Sequence, residues 1–256
     1  MQVSSQDFET QAHAVIDSGA PVFSFIYGVP PVEILDECRR RAIKTIGTAT
    51  TLEEAVVLEN SGIDLIVASS FEGGGHRGSF LRSPTDSLIG GFSLIPQVAD
   101  AIEVPVIASG GIADGRGLVA ALALGAEGVQ IGTAFLPCAG SGVSKTHRTA
   151  ALSKDVMRTN LTDAFTGRLA RGIENRLMNE FKDINHPPLP FPLQHALTQT
   201  IAAPASAQER EDLMPLWAGQ SVGLCHHTEA SELMAELIAK ADAFFPNMPV
   251  HLSIVE

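Results

Sequence analysis

Apolar positions in the first 135 residues follow two patterns in turn: short continuous runs, and stripes recurring every three or four positions. The runs fall near 21–28, 42–49, 64–70, 104–109 and 128–132. Each is too short for a core helix and is rich in Val and Ile, so each predicts a strand buried on both faces. The stripes lie between them, near 5–19, 32–41, 51–62, 87–102 and 115–124. They predict amphipathic helices. End signals support several of these. Ser5 is a fair N-cap for the first helix, with Phe8, Ala12, Val15 and Ile16 on one face, and Pro30-Pro31 opens the second. Thr51 with Glu54 makes a capping box, and Gly62 stops that helix. Asp114 caps a helix that ends at Gly125. Strict strand–helix alternation predicts a parallel sheet with right-handed crossovers. The expected fold class is α/β, with TIM-barrel-like parallel βα repeats holding about five of the eight strands a closed barrel needs.

Beyond Phe135 the short apolar runs disappear. Residues 144–182 predict amphipathic helix, PPLPFP at 187–192 a proline-rich loop, and further helices follow near 193–203, 207–216 and 229–245. The expected division is a partial βα barrel over 1–140 and a helical region over 141–256. The second region would pack over the active site and back onto the barrel.

Composition narrows the function classes. The 256 residues are 45% hydrophobic and 18% charged, which is globular and able to bury a core. A net charge of −12 argues against nucleic acid or an anionic membrane as partner. Cys38, Cys138 and Cys225 are odd in number and far apart, so no disulfide framework is expected. No Cys/His cluster has zinc spacing; His147, His186 and the pair His226-His227 are expected at the surface, with no metal. The polar, acidic start is unlike a signal peptide, and no apolar run is long enough to span a bilayer. The expectation is a cytoplasmic protein.

The chemistry concentrates on one predicted rim. Val104–Phe135 is a strand, a glycine turn, a helix, a strand and a second glycine turn. Ser109-Gly110-Gly111 and Gly132-Thr133 thus fall at the C-terminal ends of neighbouring parallel strands. Glycine lets backbone approach closely and turn amides donate, so the pair suits a phosphate. Glu72-Gly73-Gly74-Gly75-His76-Arg77-Gly78 follows the third strand on the same rim. Successive glycines let a flat ligand press on the backbone, and His76 beside them can take a proton from a carbon acid near neutral pH. No G-x-S-x-G elbow, Walker A loop or G-x-G-x-x-G after the first strand competes. Trp217-Ala218-Gly219-Gln220, with Ser221, is a polar turn that either caps this site or anchors Trp217 in the core.

These residues carry a family resemblance. IGTATT, EEA and GIDLIVASSFEGGGHRG, then PVIASGGIADGRGLVAALALGAEGVQIGTAFL, LTDAFTGRLARGIENRL, PFPLQHAL and LWAGQSVGL together resemble the nitronate monooxygenases, formerly 2-nitropropane dioxygenases. The likeness covers nearly all of the chain after residue 10. It implies an FMN-dependent barrel with a helical second domain. It implies oxidation of alkyl nitronates or nitroalkanes by dioxygen to a carbonyl compound and nitrite. The phosphate of FMN would lie on Ser109, Gly110, Gly111, Gly132 and Thr133, with Gln130, Gly74 and Gly75 near the flavin. His76 matches the family's histidine, the base or substrate-orienting group, and the family's EAGGH stands here with Gly73 for alanine. The resemblance also implies a PIIQAPM-type strand and two further βα units ahead of the stretch matching Val22–Gly28. A homo-oligomer would be compatible with it. Two other readings stay open at this point: a flavin-dependent enoyl-acyl carrier protein reductase, which shares the glycine-histidine loop, and a relative without catalytic activity.

Overall fold

The computed structural model describes residues 7–153, 158–182 and 186–245. Its first half is a run of strand–helix units. In order these are α1 (Phe8–Asp17), β1 (Val22–Phe25), α2 (Val32–Arg40), β2 (Lys44–Ala49), α3 (Leu52–Asn60) and β3 (Leu65–Ser69). A two-residue strand β4 (Gly75–His76) precedes α4 (Gly91–Ala99), β5 (Val106–Ser109), α5 (Gly115–Ala123) and β6 (Gly128–Gln130). Strands β1, β2, β3, β5 and β6 pair in that order, all parallel. Consecutive parallel neighbours joined by helices are the repeat of a βα barrel, so the fold is TIM-barrel-like.

The apolar runs account for the sheet. Phe23, Ile66, Ala68 and Val106 from the strands pack with Leu58 and Leu94 from α3 and α4 in one buried cluster. Helix ends follow the sequence signals. Asp114 Oδ1 accepts from the N–H groups of Arg116 at 2.9 Å and Gly117 at 3.2 Å. Thr51 Oγ1 accepts from Glu54 N–H, which is half of the expected capping box; the other half is missing, because the Glu54 carboxylate takes the Thr50 N–H and not that of Thr51. The carboxylate of Glu54 reaches past the cap. It accepts from the Thr50 N–H and hydroxyl, and from the N–H groups of Phe80 and Leu81. A fully buried carboxylate is costly unless its lone pairs are filled, and here four donors fill them.

Three expected elements differ. The helix expected over 87–102 is the shorter α4, because Pro84–Ser87 forms a separate 3₁₀ turn and the helix starts only after Gly90. The N-cap of α1 is Asp7, whose carboxylate accepts from Thr10 N–H; Ser5 lies outside the described residues. The largest difference lies in 144–182. Helix α6 (Lys145–Leu152) and helix α7 (Arg176–Lys182) flank two strands, β7 (Thr159–Thr162) and β8 (Ala170–Ile173). These pair antiparallel, and β8 pairs with β4, giving a second sheet in the order β4-β8-β7. The region after 141 is therefore not purely helical. Ala170-Arg171-Gly172-Ile173 is buried throughout, so it shows none of the in/out alternation that marks a strand in sequence.

Helix α8 (Leu193–Ala207) runs past its expected end, and the helix expected over 207–216 is replaced by a 3₁₀ turn and extended chain. That extended chain bridges Gly172 to Trp217. Helix α9 (Ala230–Phe244) matches its expectation, and its Leu233 and Leu237 pack with Ala113 and Ala134 over the rim of the parallel sheet. Among the described residues no helix is long and apolar enough to cross a membrane.

Candidate active site

The C-terminal ends of β3, β5 and β6 open into one cavity of about 340 Å³, within the range of small-molecule sites. Its lining includes His76 and every residue expected to hold the cofactor. Gly74, Gly75 and His76 come from the loop after β3, and Ser109, Gly110 and Gly111 from the turn after β5. Gln130, Gly132 and Thr133 come from the end of β6. The turn after β5 needs glycine for its backbone: φ is +96° at Gly110 and +75° at Gly111. After β6 the chain enters a short 3₁₀ turn, Thr133–Phe135, whose first bond is Phe135 N–H to the Gly132 carbonyl. The N–H groups at the head of such a turn precede its bonding and are donors to whatever lies before them.

The glycines serve different ends. A Cβ at Gly74 would lie 2.6 Å from the carbonyl carbon of Ala218 and from Gly219 N, so Gly74 is required by the chain crossing above it. A Cβ at Gly110 would lie 2.5 Å from Ser70 Oγ. At Gly132 the φ of −110° suits any residue, and a Cβ would meet nothing within 4 Å. Nothing in the protein itself excludes a side chain there. The space is open on the side of the cavity.

The second sheet and the 217–221 segment form the roof. His76 pairs with Ala170 through β4 and β8, and its Nε2 lies 2.8 Å from Thr166 Oγ1. Thr166 is buried in the β7–β8 connection, and its hydroxyl also lies 3.2 Å from the Arg168 carbonyl and 3.3 Å from the Arg168 N–H. Burial lowers the His76 pKa below the ordinary histidine value, and the charges of Arg168 and His195 push the same way. His76 is therefore mainly neutral at neutral pH. Its ring lies 5.4 Å from the Trp217 ring, which also stands edge-on to Phe165 at 5.6 Å. Trp217 thus both lines the cavity and anchors in the core.

Several residues hold the site through contacts that the sequence does not show. Arg77 is buried and donates to the carbonyls of Ser70 at 2.5 Å and Ser69 at 2.9 Å, fixing the end of β3. Burial pulls its guanidinium down to about 10, so it stays charged. Arg171 on β8 is buried as well, and donates to the Phe71 carbonyl at 2.9 Å and to the Thr159 carbonyl and hydroxyl at 3.3 Å. It ties the roof to the loop that carries His76. Glu72 accepts from Gly91 N–H at 2.7 Å and its carbonyl accepts from Gln220 N–H at 2.8 Å. Thr133 Oγ1 accepts from Gly219 N–H at 2.9 Å, joining the β6 turn to the roof. His147 is not a surface residue. It is half-buried, its Nε2 lies 3.0 Å from the Trp217 carbonyl, and burial lowers its pKa. His186 is exposed as expected.

The family model and the curated relatives agree on one family. A family model described as nitronate monooxygenase matches residues 1–240. A probable nitronate monooxygenase of Staphylococcus saprophyticus is 40% identical over 239 residues, which are 93% of this chain and 67% of the relative. One from Staphylococcus aureus is 40% identical over 237 residues, 92% of this chain and 67% of the relative. The chain thus spans about two thirds of the length of these relatives. Among solved structures, a nitroalkane oxidase of Streptomyces ansochromogenes superposes with a TM-score of 0.86 at 37% identity, covering 93% of this chain and 70% of the other. FabK of Thermotoga maritima superposes with a TM-score of 0.78 at 25% identity, covering 95% of this chain and 75% of the other. With the parallel βα rim, the glycine turns and the neutral histidine in one cavity, the match over residues 1–240 places the chain in the nitronate monooxygenase family of flavin oxidoreductases.

Proposed function

We propose that the protein uses FMN to oxidise alkyl nitronates, and the nitroalkanes from which they form, with dioxygen to a carbonyl compound and nitrite. The observation that carries this is the open space at Gly132, where the protein imposes no glycine, on the wall of a cavity that also holds His76. The family membership supplies the reaction class. We assign the phosphate to Ser109, Gly110, Gly111, Gly132 and Thr133, and the flavin ring to Gly74, Gly75 and Gln130. FMN, when bound, supplies the electron-accepting chemistry that no side chain provides. The division of labour follows: residues 1–140 carry the cofactor site, and 141–256 form its cover.

The protein's own part is to orient the substrate and handle a proton. The Thr166 hydroxyl accepts from His76 Nε2–H and donates onward to the Arg168 carbonyl. That leaves the lone pair on His76 Nδ1. Nδ1 takes the α-proton of a neutral nitroalkane, or orients a nitronate already formed. Trp217 and Ser221 line the cavity from the side of the roof.

The test is an anaerobic mixing of FMN-loaded protein with a nitronate, followed by absorbance. The flavin spectrum changes, and air restores it with release of nitrite. No spectral change in loaded protein overturns the reading, as does reaction with NADH and an enoyl thioester in its place. His76→Ala keeps FMN and loses about 10²–10⁴-fold in turnover of neutral nitroalkanes. Full activity of that variant removes the base assignment.

A further inference from the structure

Outside the cavity, the described residues bring one set of metal-ligating groups together: His226, His227 and Glu236, with ligand atoms within 4.8 Å of one another. The sequence hides this, because Glu236 lies on α9 and the two histidines follow the 3₁₀ turn Gln220–Leu224. We propose that these three side chains form a binding site for a single divalent transition ion of the zinc class.

The hydrogen-bonding pattern argues for it. His226 Nδ1 lies 2.9 Å from the Leu224 carbonyl, which can only accept, so the proton is on Nδ1. Its Nε2 then presents a lone pair to Glu236 Oε2 at 3.5 Å. Glu236 Oε2, as a carboxylate oxygen, can only accept. Two acceptors therefore face each other. His227 lies between two carboxylates. Its Nε2 lies 2.6 Å from Glu236 Oε2, while Nδ1 faces Glu232 Oε2 at 3.8 Å. A proton on Nε2 satisfies Glu236, while exposed Glu232 lies beyond hydrogen-bond reach of Nδ1. A cation bound by the two Nε2 atoms and Oε2 would replace the 2.6 Å hydrogen bond of His227, with those two atoms moving apart, and would fill the lone pair that His226 Nε2 turns toward Glu236. Both rings then bind through Nε2; His226 Nδ1–H donates to the Leu224 carbonyl, and His227 Nδ1–H faces the Glu232 carboxylate. Ligating histidines commonly donate their second nitrogen in this way. Two imidazoles and one carboxylate suit zinc-class ions rather than calcium or magnesium, and leave a fourth position to water.

The site has a structural consequence. Ser221, just before these histidines, lines the cavity; Cys225 Sγ lies 3.6 Å from the Thr133 carbonyl; and the Thr228 carbonyl accepts from Ala139 N–H at 2.8 Å. An ion on α9 would clamp the 217–228 segment to the helix that covers the rim. It is a clamp and not part of the oxidation chemistry.

The experiment is calorimetric titration of the chelator-washed full chain with Zn²⁺ at pH 7.5, beside the variants His226→Ala, His227→Ala and Glu236→Gln. The expected result is one ion per chain, with affinity lowered tenfold or more in each variant. Thermal unfolding checks the same point: saturating Zn²⁺ raises Tm by about 5–10 °C in the parent and not in the variants. Co²⁺ gives visible absorption bands that the variants lose. No stoichiometric binding by the folded parent overturns the proposal. Binding unchanged in all three variants overturns it as well, because the ion is then held elsewhere.

Discussion

The parallel sheet and the roof face each other across one cavity, yet they are held together by different physics. Strands β1, β2, β3, β5 and β6 are fixed by apolar burial; Ile66, Ala68 and Ala108 are fully buried. The roof has apolar clusters of its own, around Leu216 and around Phe165, but long-range polar contacts tie it to the floor. Arg171 spans from β8 to Phe71 and Thr159, Thr133 receives Gly219, and His147 holds the Trp217 carbonyl. Apolar packing tolerates small adjustments of shape, whereas a polar strut fails when one partner goes. The floor should therefore survive changes that displace the roof.

Arg171→Leu is the strongest way to break that contrast. It removes the donor to the Phe71 and Thr159 carbonyls inside a buried region, and each orphaned acceptor costs about 1–3 kcal/mol. Added leucine packing offsets part of this, so the net loss is about 2 kcal/mol. Denaturant unfolding measures it. Limited proteolysis should cut within 158–176 before it cuts the parallel sheet. Equal resistance of the roof in variant and parent would show that apolar packing holds both regions.

A pair of alanines separates the two kinds of glycine on the rim. Gly74→Ala drives a Cβ to 2.6 Å from Ala218 and Gly219 backbone, where nothing flexible can yield, and destabilises by about 1–3 kcal/mol. Gly132→Ala meets no protein atom within 4 Å at an ordinary φ. It leaves stability unchanged or raises it by about 0.4–1 kcal/mol, through a less flexible unfolded chain. Its effect falls on FMN affinity, read by fluorescence titration. If Gly132→Ala binds FMN as the parent does, the space at Gly132 does not serve the cofactor.

The same division explains what was legible in the sequence. The floor shows itself because strands buried on both faces need continuous apolar runs, and because Asp114, Gly125 and the Thr51-Glu54 box are local signals. The rim follows from strand order, so the convergence of Ser109, Gly132 and His76 on one cavity could be anticipated. The β7–β8 hairpin could not. Thr159–Thr162 is polar and partly exposed, Arg171 interrupts β8, and both strands exist because β4 offers an edge some 90 residues earlier in the chain. A buried arginine in LARGI beside an otherwise apolar stretch was the available hint. Thr166 gave none, since its role depends on His76 lying across the sheet.

The smallest expected effect tests that last contact. Thr166→Val keeps the shape and removes the hydroxyl next to His76 Nε2. The ring then loses its partner but stays buried, so turnover of a neutral nitroalkane falls about tenfold while FMN binding is kept. The pH profile adds a reading that mere loosening would not give. Burial depresses the pKa of His76 and of His147, so between their folded values and about pH 6.5 the unfolded chain holds more protons than the folded one. Their contribution to stability is complete above about pH 6.5 and is lost as the pH falls through the lower, folded values. Tm measured from pH 8 down to 5 should drop along this course, and His76→Gln should remove part of the slope. In Thr166→Val the acid limb of kcat/KM should move, because a ring freed from the hydroxyl titrates differently at Nδ1. A profile identical to the parent's would separate Thr166 from the proton chemistry and leave it a strut of the roof, like Arg171.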